Sequence, residues 1–199
     1  MDELGLFPLG IVLLPTETVP LHIFEPRYRE LIGECIEEDR EFGLVYADEG
    51  GVRELGTRAR VAAILERFDD GRLNIVVEGG SRFLVEELTG GRTFMTAEVT
   101  DVHDDELVVS DEARIDAAGA FRALAALAGA ETEIDEDSPQ LSFLLAAQVE
   151  LPADDKQRLL ESRSEQERLG LVAELLHAAR KTLIATRELD ERAKRNGHR

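Results

Sequence analysis

The stretch Phe7 to Ile36, FPLGIVLLPTETVPLHIFEPRYRELIGECI, constrains the fold more than any other, because extended segments broken by proline run directly into a helix. Pro8, Gly10 and Pro15 interrupt the apolar run Leu6–Leu14, which suits short, bent strands better than one long strand or a helix. Thr18–Phe24 alternates, with Val19, Leu21 and Ile23 on one face and Thr18, Pro20, His22 and Phe24 on the other. Pro26 suits a first helical position, where its fixed φ and missing N–H cost nothing. Behind it Tyr28, Leu31, Ile32, Cys35 and Ile36 recur at helical spacing and give one apolar face. The stretch reads as a strand-to-helix corner.

The remaining N-terminal half reads as strands. Phe42–Ala47 is one, and turn signals follow at Gly50-Gly51 and Gly56-Thr57. Arg58–Phe68 forms another, with Ala59, Val61, Ala63 and Leu65 expected on one face. Asp70-Gly71 signals a hairpin into Leu73–Val77. Gly79-Gly80 is expected to turn into Arg82–Leu88, and Gly90-Gly91 into Thr93–Val102. About six short strands and one early helix predict a small, closed or nearly closed β-barrel.

Near Leu107 the apolar period changes from 2 to 3.6. Ile115, Ala118, Phe121, Leu124, Ala125 and Ala128 predict a helix ending at Gly129, and an acidic loop, Glu131–Asp137, follows. Ser138-Pro139 opens a helix expected to reach Gln148, and Pro152 allows another start. Ser164 and Glu167 fit a capping box ahead of Leu169, Val172, Leu176, Ala179 and Leu183. The expected architecture is α+β, a barrel over 1–105 and a C-terminal helical bundle over 106–199 whose last ten residues are disordered.

Charge and missing motifs exclude several classes. The net charge is −19, and residues 101–140 hold twelve acidic against two basic side chains, so a phosphate backbone is repelled and nucleic acid is not an expected partner. No secretory leader and no membrane-spanning apolar run is read, so the expectation is a soluble, cytoplasmic chain without a membrane partner. There is no G-x-x-x-x-G-K-[ST] loop for ATP phosphates, and the three lysines, Lys156, Lys181 and Lys194, all fall in expected helices. His22, His103, His177 and His198 are scattered without a ligand pattern, and His22 reads as a satisfied barrel histidine. Cys35, beside Leu31 and Ile32, has no cation to make it a thiolate. No cofactor, no metal and no catalytic residue is expected.

PLHIFEPRY at Pro20–Tyr28 resembles the N-terminal, substrate-binding domain of Lon proteases. The likeness continues through FGLV at Phe42–Val45, DGRLNIVVEG at Asp70–Gly79, KQRLLE at Lys156–Glu161 and ERL at Glu167–Leu169. One departure stands at Leu14-Pro15-Thr16, where that family usually has an aromatic residue, proline and glycine. The resemblance implies a PUA-like barrel followed by helices, and a stand-alone, non-catalytic module that binds protein or unfolded polypeptide clients, as an adaptor or chaperone-like factor in protein quality control. A separate ATP-dependent protease is the partner such a module would serve; oligomeric state stays open. A small-molecule-binding protein and an uncharacterised hydrolase are the alternative readings.

Charge at the corner has two uses. Glu25 and Arg29, four residues apart, can pair at the start of the helix. Phe24 either packs under the C-terminal helices, as large aromatics usually do, or stands exposed as an apolar anchor with Arg27 as its polar rim. Phe24, Arg27 and Tyr28 are the candidate peptide-binding residues.

Overall fold

A computed structural model describes residues 2–105 and 108–196, with side chains described as far as 189. The backbone of 190–196, within the stretch expected to be disordered, is helical, and 197–199 lie outside the described residues. Contact density divides the chain into two units, Met1–Asp105 with Ala146–Arg163, and Glu106–Leu145 with Ser164–Arg199.

In the first unit β1 (Asp2–Leu9), β2 (Thr18–Ile23), β3 (Phe42–Asp48), β4 (Gly51–Arg67), β5 (Leu73–Thr89) and β6 (Met95–Val102) form one sheet. Its order is β2-β5-β4-β3-β1-β6, and β5 also pairs with β6. Only β1 and β3 run parallel. Helix α1 (Pro26–Glu38) opens at Pro26 and buries Tyr28, Leu31, Ile32 and Cys35. They join Phe7, Ile23, Phe42 and Ile75 in one apolar cluster. A second cluster gathers Leu4, Leu6, Val45, Phe83, Ala97 and Val99.

Two expected turns are strand interior instead, for one physical reason. Gly79 lies within β5, where a Cβ would sit 2.1 Å from the Leu14 carbonyl oxygen. The Thr16 N–H donates to the Gly79 carbonyl at 2.8 Å, and the Gly79 N–H to that of Glu17 at 2.8 Å. Gly56 lies within β4, and its Cβ would meet the Leu44 carbonyl at 2.5 Å. Both glycines mark close backbone approach, the other meaning of glycine in a strand. The expected alternation along Arg58–Phe68 fails as well. Register shifts fall between Val61 and Ala63 and between Ile64 and Glu66, so Ala59 is buried whereas Ala63 and Leu65 face solvent.

The loop crossing Gly79 carries a local cost. Thr16 has φ of 69°, a left-handed conformation unfavourable for a β-branched residue. Its Oγ1 is buried without a protein partner among the described residues. The position where the sequence departs from the Lon pattern is thus one whose backbone favours glycine.

Helix α4 (Ala153–Glu161), expected in the C-terminal bundle, belongs to the first unit. Buried Arg82 donates to the carbonyls of Leu160 at 2.7 Å and Ser162 at 2.6 Å, and pairs with Asp104. Lys156 pairs with Glu17, whose other carboxylate oxygen accepts the Leu14 N–H at 2.9 Å. Buried Arg58 grips Asp2 through two nitrogens, at 2.9 and 3.1 Å, and Asp101 at 2.8 Å. These bonds hold the Asp2 carboxyl below its ordinary range.

In the second unit α2 (Asp111–Ala128) is capped by Ser110, whose Oγ accepts the Ala113 N–H at 3.2 Å, and ends at Gly129 with φ of 74°. It buries Ala117, Ala118, Ala120, Phe121 and Ala125, while Ile115, expected on that face, is 66% exposed. Helix α3 spans only Leu141–Ala146, and ahead of its first residue Ser138 Oγ accepts the Gln140 N–H at 3.2 Å in a turn. Helix α5 (Glu165–Asn196) starts with Ser164 Oγ accepting the Glu167 N–H at 3.3 Å. Arg168 is fully buried, yet bonded to Ser142 at 3.0 Å and Glu165 at 2.7 Å and stacked 4.4 Å over the Phe143 ring. Burial of this charge is compatible with stability because its partners replace water.

Two substitutions test the crossing with opposite signs. Gly79→Ala drives a Cβ into backbone and lowers stability by about 3 kcal/mol in urea unfolding, whereas Gly90→Ala, with open space around it, changes little. Thr16→Gly relieves the left-handed strain and raises stability by about 1 kcal/mol, read as a higher urea midpoint at unchanged slope.

Candidate functional site

The end of β2 delivers Phe24 to the surface of the first unit. Its neighbour Ile23 is fully buried, so the alternation that fills the core turns Phe24 outward, and the ring is 58% exposed. It does not pack under C-terminal helices. His22, expected to be enclosed, is exposed on the same outer face, its ring stacked with Phe24 at 5.8 Å. The His22 Nδ1 donates to Asn74 Oδ1 at 2.6 Å, and Asn74 Nδ2 to Glu66 Oε2 at 3.0 Å. These three residues share one row across β2, β5 and β4, because His22 pairs with Asn74 and Asn74 with Glu66.

The β4–β5 hairpin adds Phe68, 6.0 Å edge-on from His22, and Arg72, whose guanidinium lies 5.0 Å over the Phe68 ring. Gly71 closes the turn with φ of 84°. The Asp70 carboxylate accepts the Arg72 N–H at 3.1 Å, which holds its carboxyl below the ordinary range. Arg29 of α1 donates to the Asp70 carbonyl and ties the hairpin tip to the helix. The expected Glu25–Arg29 pair is replaced by that tie, and Glu25 instead binds Arg27 at 2.8 Å.

Arg27 is half exposed and lies 4.5 Å over the Tyr28 ring. Tyr28 itself is only 6% exposed, its ring 4.0 Å from that of Phe7, and burial raises the pKa of its hydroxyl. Tyr28 therefore supports the corner from beneath and presents no surface to a ligand. The surface consists of Phe24, His22 and Phe68 with a rim of Arg27, Glu25, Arg72 and Glu66. Such an arrangement can bury an apolar side chain while charges orient the chain that carries it.

Burial pushes the Cys35 thiol up to about 11, and its Sγ lies 3.9 Å from the Glu41 carbonyl. No group of three or more metal-ligating side chains occurs among the described residues, and no helix among them is long and apolar enough to cross a membrane.

The profile of the ATP-dependent protease La (LON) substrate-binding domain matches residues 3–178. The chain belongs to the Lon substrate-binding domain family. It is 28% identical over 212 residues to Lon protease 2 of Myxococcus xanthus, covering 96% of this chain and 25% of that protein. The same identity and coverage hold for a Lon protease of Anaeromyxobacter dehalogenans. The chain thus spans about a quarter of the length of these relatives. Among solved structures, a Lon N-terminal domain protein from Xanthomonas campestris superposes with TM-score 0.69 at 26% identity, covering 85% of this chain and 96% of that one. The N-terminal domain of Lon from the Mycobacterium avium complex shares the fold, with TM-score 0.66 at 20% identity, covering 88% and 98%.

The family motif PLHIFEPRY holds Phe24 and Arg27, but Phe68, Arg72, Asn74 and Glu66 were missed in the sequence reading. The Asp70-Gly71 signal placed positions 68 and 72 opposite each other; only the pairing of β5 with β2 brings them beside His22 and Phe24. In this member of the family Cys35 should react with a disulfide reagent such as DTNB at pH 8 at least about tenfold more slowly than in the urea-unfolded chain, because burial suppresses its thiolate. Equal rates in the two states would show the thiol to be accessible and ionised.

Proposed function

We propose that this chain is a non-catalytic module that binds extended or unfolded polypeptide segments. Clients would anchor an apolar side chain on Phe24 against His22 and Phe68, with Arg27 and Arg72 at the rim. The observation that carries this reading is the exposure of Phe24, 58%, beside the exposed His22 and the half-buried Phe68. Large aromatics exposed beside polar rims are what binding hot spots use. Membership of a family described by its substrate binding supports the same reading. Further parts of the proposal are that the closed order of strand pairing encloses a small barrel, that the helices of the second unit form a bundle, and that the chain works in the cytoplasm as an adaptor or chaperone-like factor. A separate ATP-dependent protease would then receive what it holds.

Phe24→Ala decides the matter. Binding of fluorescent, reduced and carboxymethylated lactalbumin, followed by anisotropy, should weaken at least about tenfold. Thermal stability should change little, because the ring is already in contact with water. Unchanged affinity would remove Phe24 from the site, and a loss of several kcal/mol in stability would return it to the core.

A further inference from the structure

β4 has an open edge. β3 starts at Phe42, where the connection from α1 joins the sheet, and its pairing with β4 in that direction ends at Phe42 opposite Ala59. Beyond this point Arg60–Arg67 pairs only with β5 among the described residues. About 25 Å of strand at the usual rise therefore has one row of backbone groups without a neighbouring strand. The side chains along it are Val61, Ala62, Ala63, Ile64 and Leu65, an apolar run of which Leu65 is 62% exposed. Exposed apolar edge strands are a liability that proteins normally cover or break with charge.

A groove of about 750 Å³ runs along this edge, walled on its far side by Cys35, Ile36, Asp39 and Arg40 at the end of α1. Its charges are not balanced. Arg40 is paired with Glu38 at 2.9 Å, and Arg60 with Glu78 at 2.5 Å, whereas Asp39 and Glu41, which also line the groove, have no ion-pair partner among the described residues. A second copy of the chain is a poor occupant, since pairing edge to edge would bring together two molecules each of net charge −19.

We infer that the Arg60–Arg67 edge takes an extended, basic-apolar polypeptide segment as an added strand, its backbone bonded to β4, its apolar side chains toward Val61 and Ile36 and its basic ones toward Asp39 and Glu41. This rests on the polypeptide-binding reading above and gives it a register and a charge preference. Main-chain pairing supplies sequence-tolerant affinity, which suits a binder of varied clients.

The test uses the full chain and a labelled eight-residue peptide alternating valine and lysine, read by anisotropy. It should bind at least about tenfold more tightly than the valine–glutamate counterpart at low salt. Methylating one alternate set of its backbone amides should weaken binding at least about tenfold, whereas methylating the other set leaves it within about twofold, because only one edge of an added strand pairs. Amides in 60–66 should gain hydrogen-exchange protection on binding. Ala63→Pro should abolish the protection; the methylated peptides carry the test should that variant misfold. Equal binding of both methylated peptides, protection confined to other segments, or peptide-independent protection that grows with protein concentration would overturn the inference. If unfolded lactalbumin binding depends on Phe24 while 60–66 gains no protection, the edge proposal falls and the polypeptide-binding reading stands; if neither probe binds, both fall.

Discussion

The first unit depends on one crossing of backbone over backbone, the Leu14–Glu17 loop over β5 at Gly79. Two main-chain hydrogen bonds join the loop to Gly79, and Thr57 Oγ1 of β4 donates to the Leu13 carbonyl at 2.6 Å, so the loop is fixed to two strands at once. That fixes where β2 begins and hence its register on β5, with Thr18 opposite Glu78 and Ile23 opposite Leu73. The register then buries Ile23 and leaves Phe24 outside. The same loop offers Glu17 to Lys156 and so helps to hold α4 on the sheet. A strained Thr16 persists in the loop because the surrounding bonds over-determine its conformation.

Charge is used in two distinct ways. Arg58, Arg82 and Arg168 are buried and bonded, respectively, to the Asp101 carboxylate, the Leu160 carbonyl and the Ser142 hydroxyl, so they act as fixed connectors between segments distant in sequence. Truncating a partner of such a buried cation costs more than the pair contributes, because it leaves a desolvated charge behind. The acidic excess lies mostly elsewhere, on exposed positions such as those from Glu131 to Asp137. An acidic excess of this kind favours solubility and disfavours phosphate-rich partners.

The proposed binding features share one origin in the β4–β5 hairpin. The hairpin extends past the end of the β3 pairing, so it exposes an edge along Arg60–Arg67 and carries Phe68 and Arg72 at its tip beside Phe24. Arg29 tethers that tip to α1, which limits how freely it moves relative to the corner. An aromatic anchor and a backbone edge make different demands on a client, one for an apolar side chain and the other for an extended main chain.

Periodicity and punctuation alone determined the local elements. Pro26 opened α1, Asp70-Gly71 closed the hairpin, Gly129 ended α2, and the alternation of Thr18–Phe24 assigned Ile23 and Phe24 to opposite faces. The string PLHIFEPRY carried the family. What the sequence left undecided was long-range. Gly56 and Gly79 looked like turns because a glycine that admits a neighbouring backbone is indistinguishable, in one dimension, from a glycine that bends its own. The burial of Tyr28, the exposure of Phe24 and His22, the attachment of α4 to the sheet and the open edge of β4 all follow from pairings between segments tens of residues apart. No local pattern encodes them, since each depends on which surface arrives from elsewhere in the chain, and only the tertiary structure decides that.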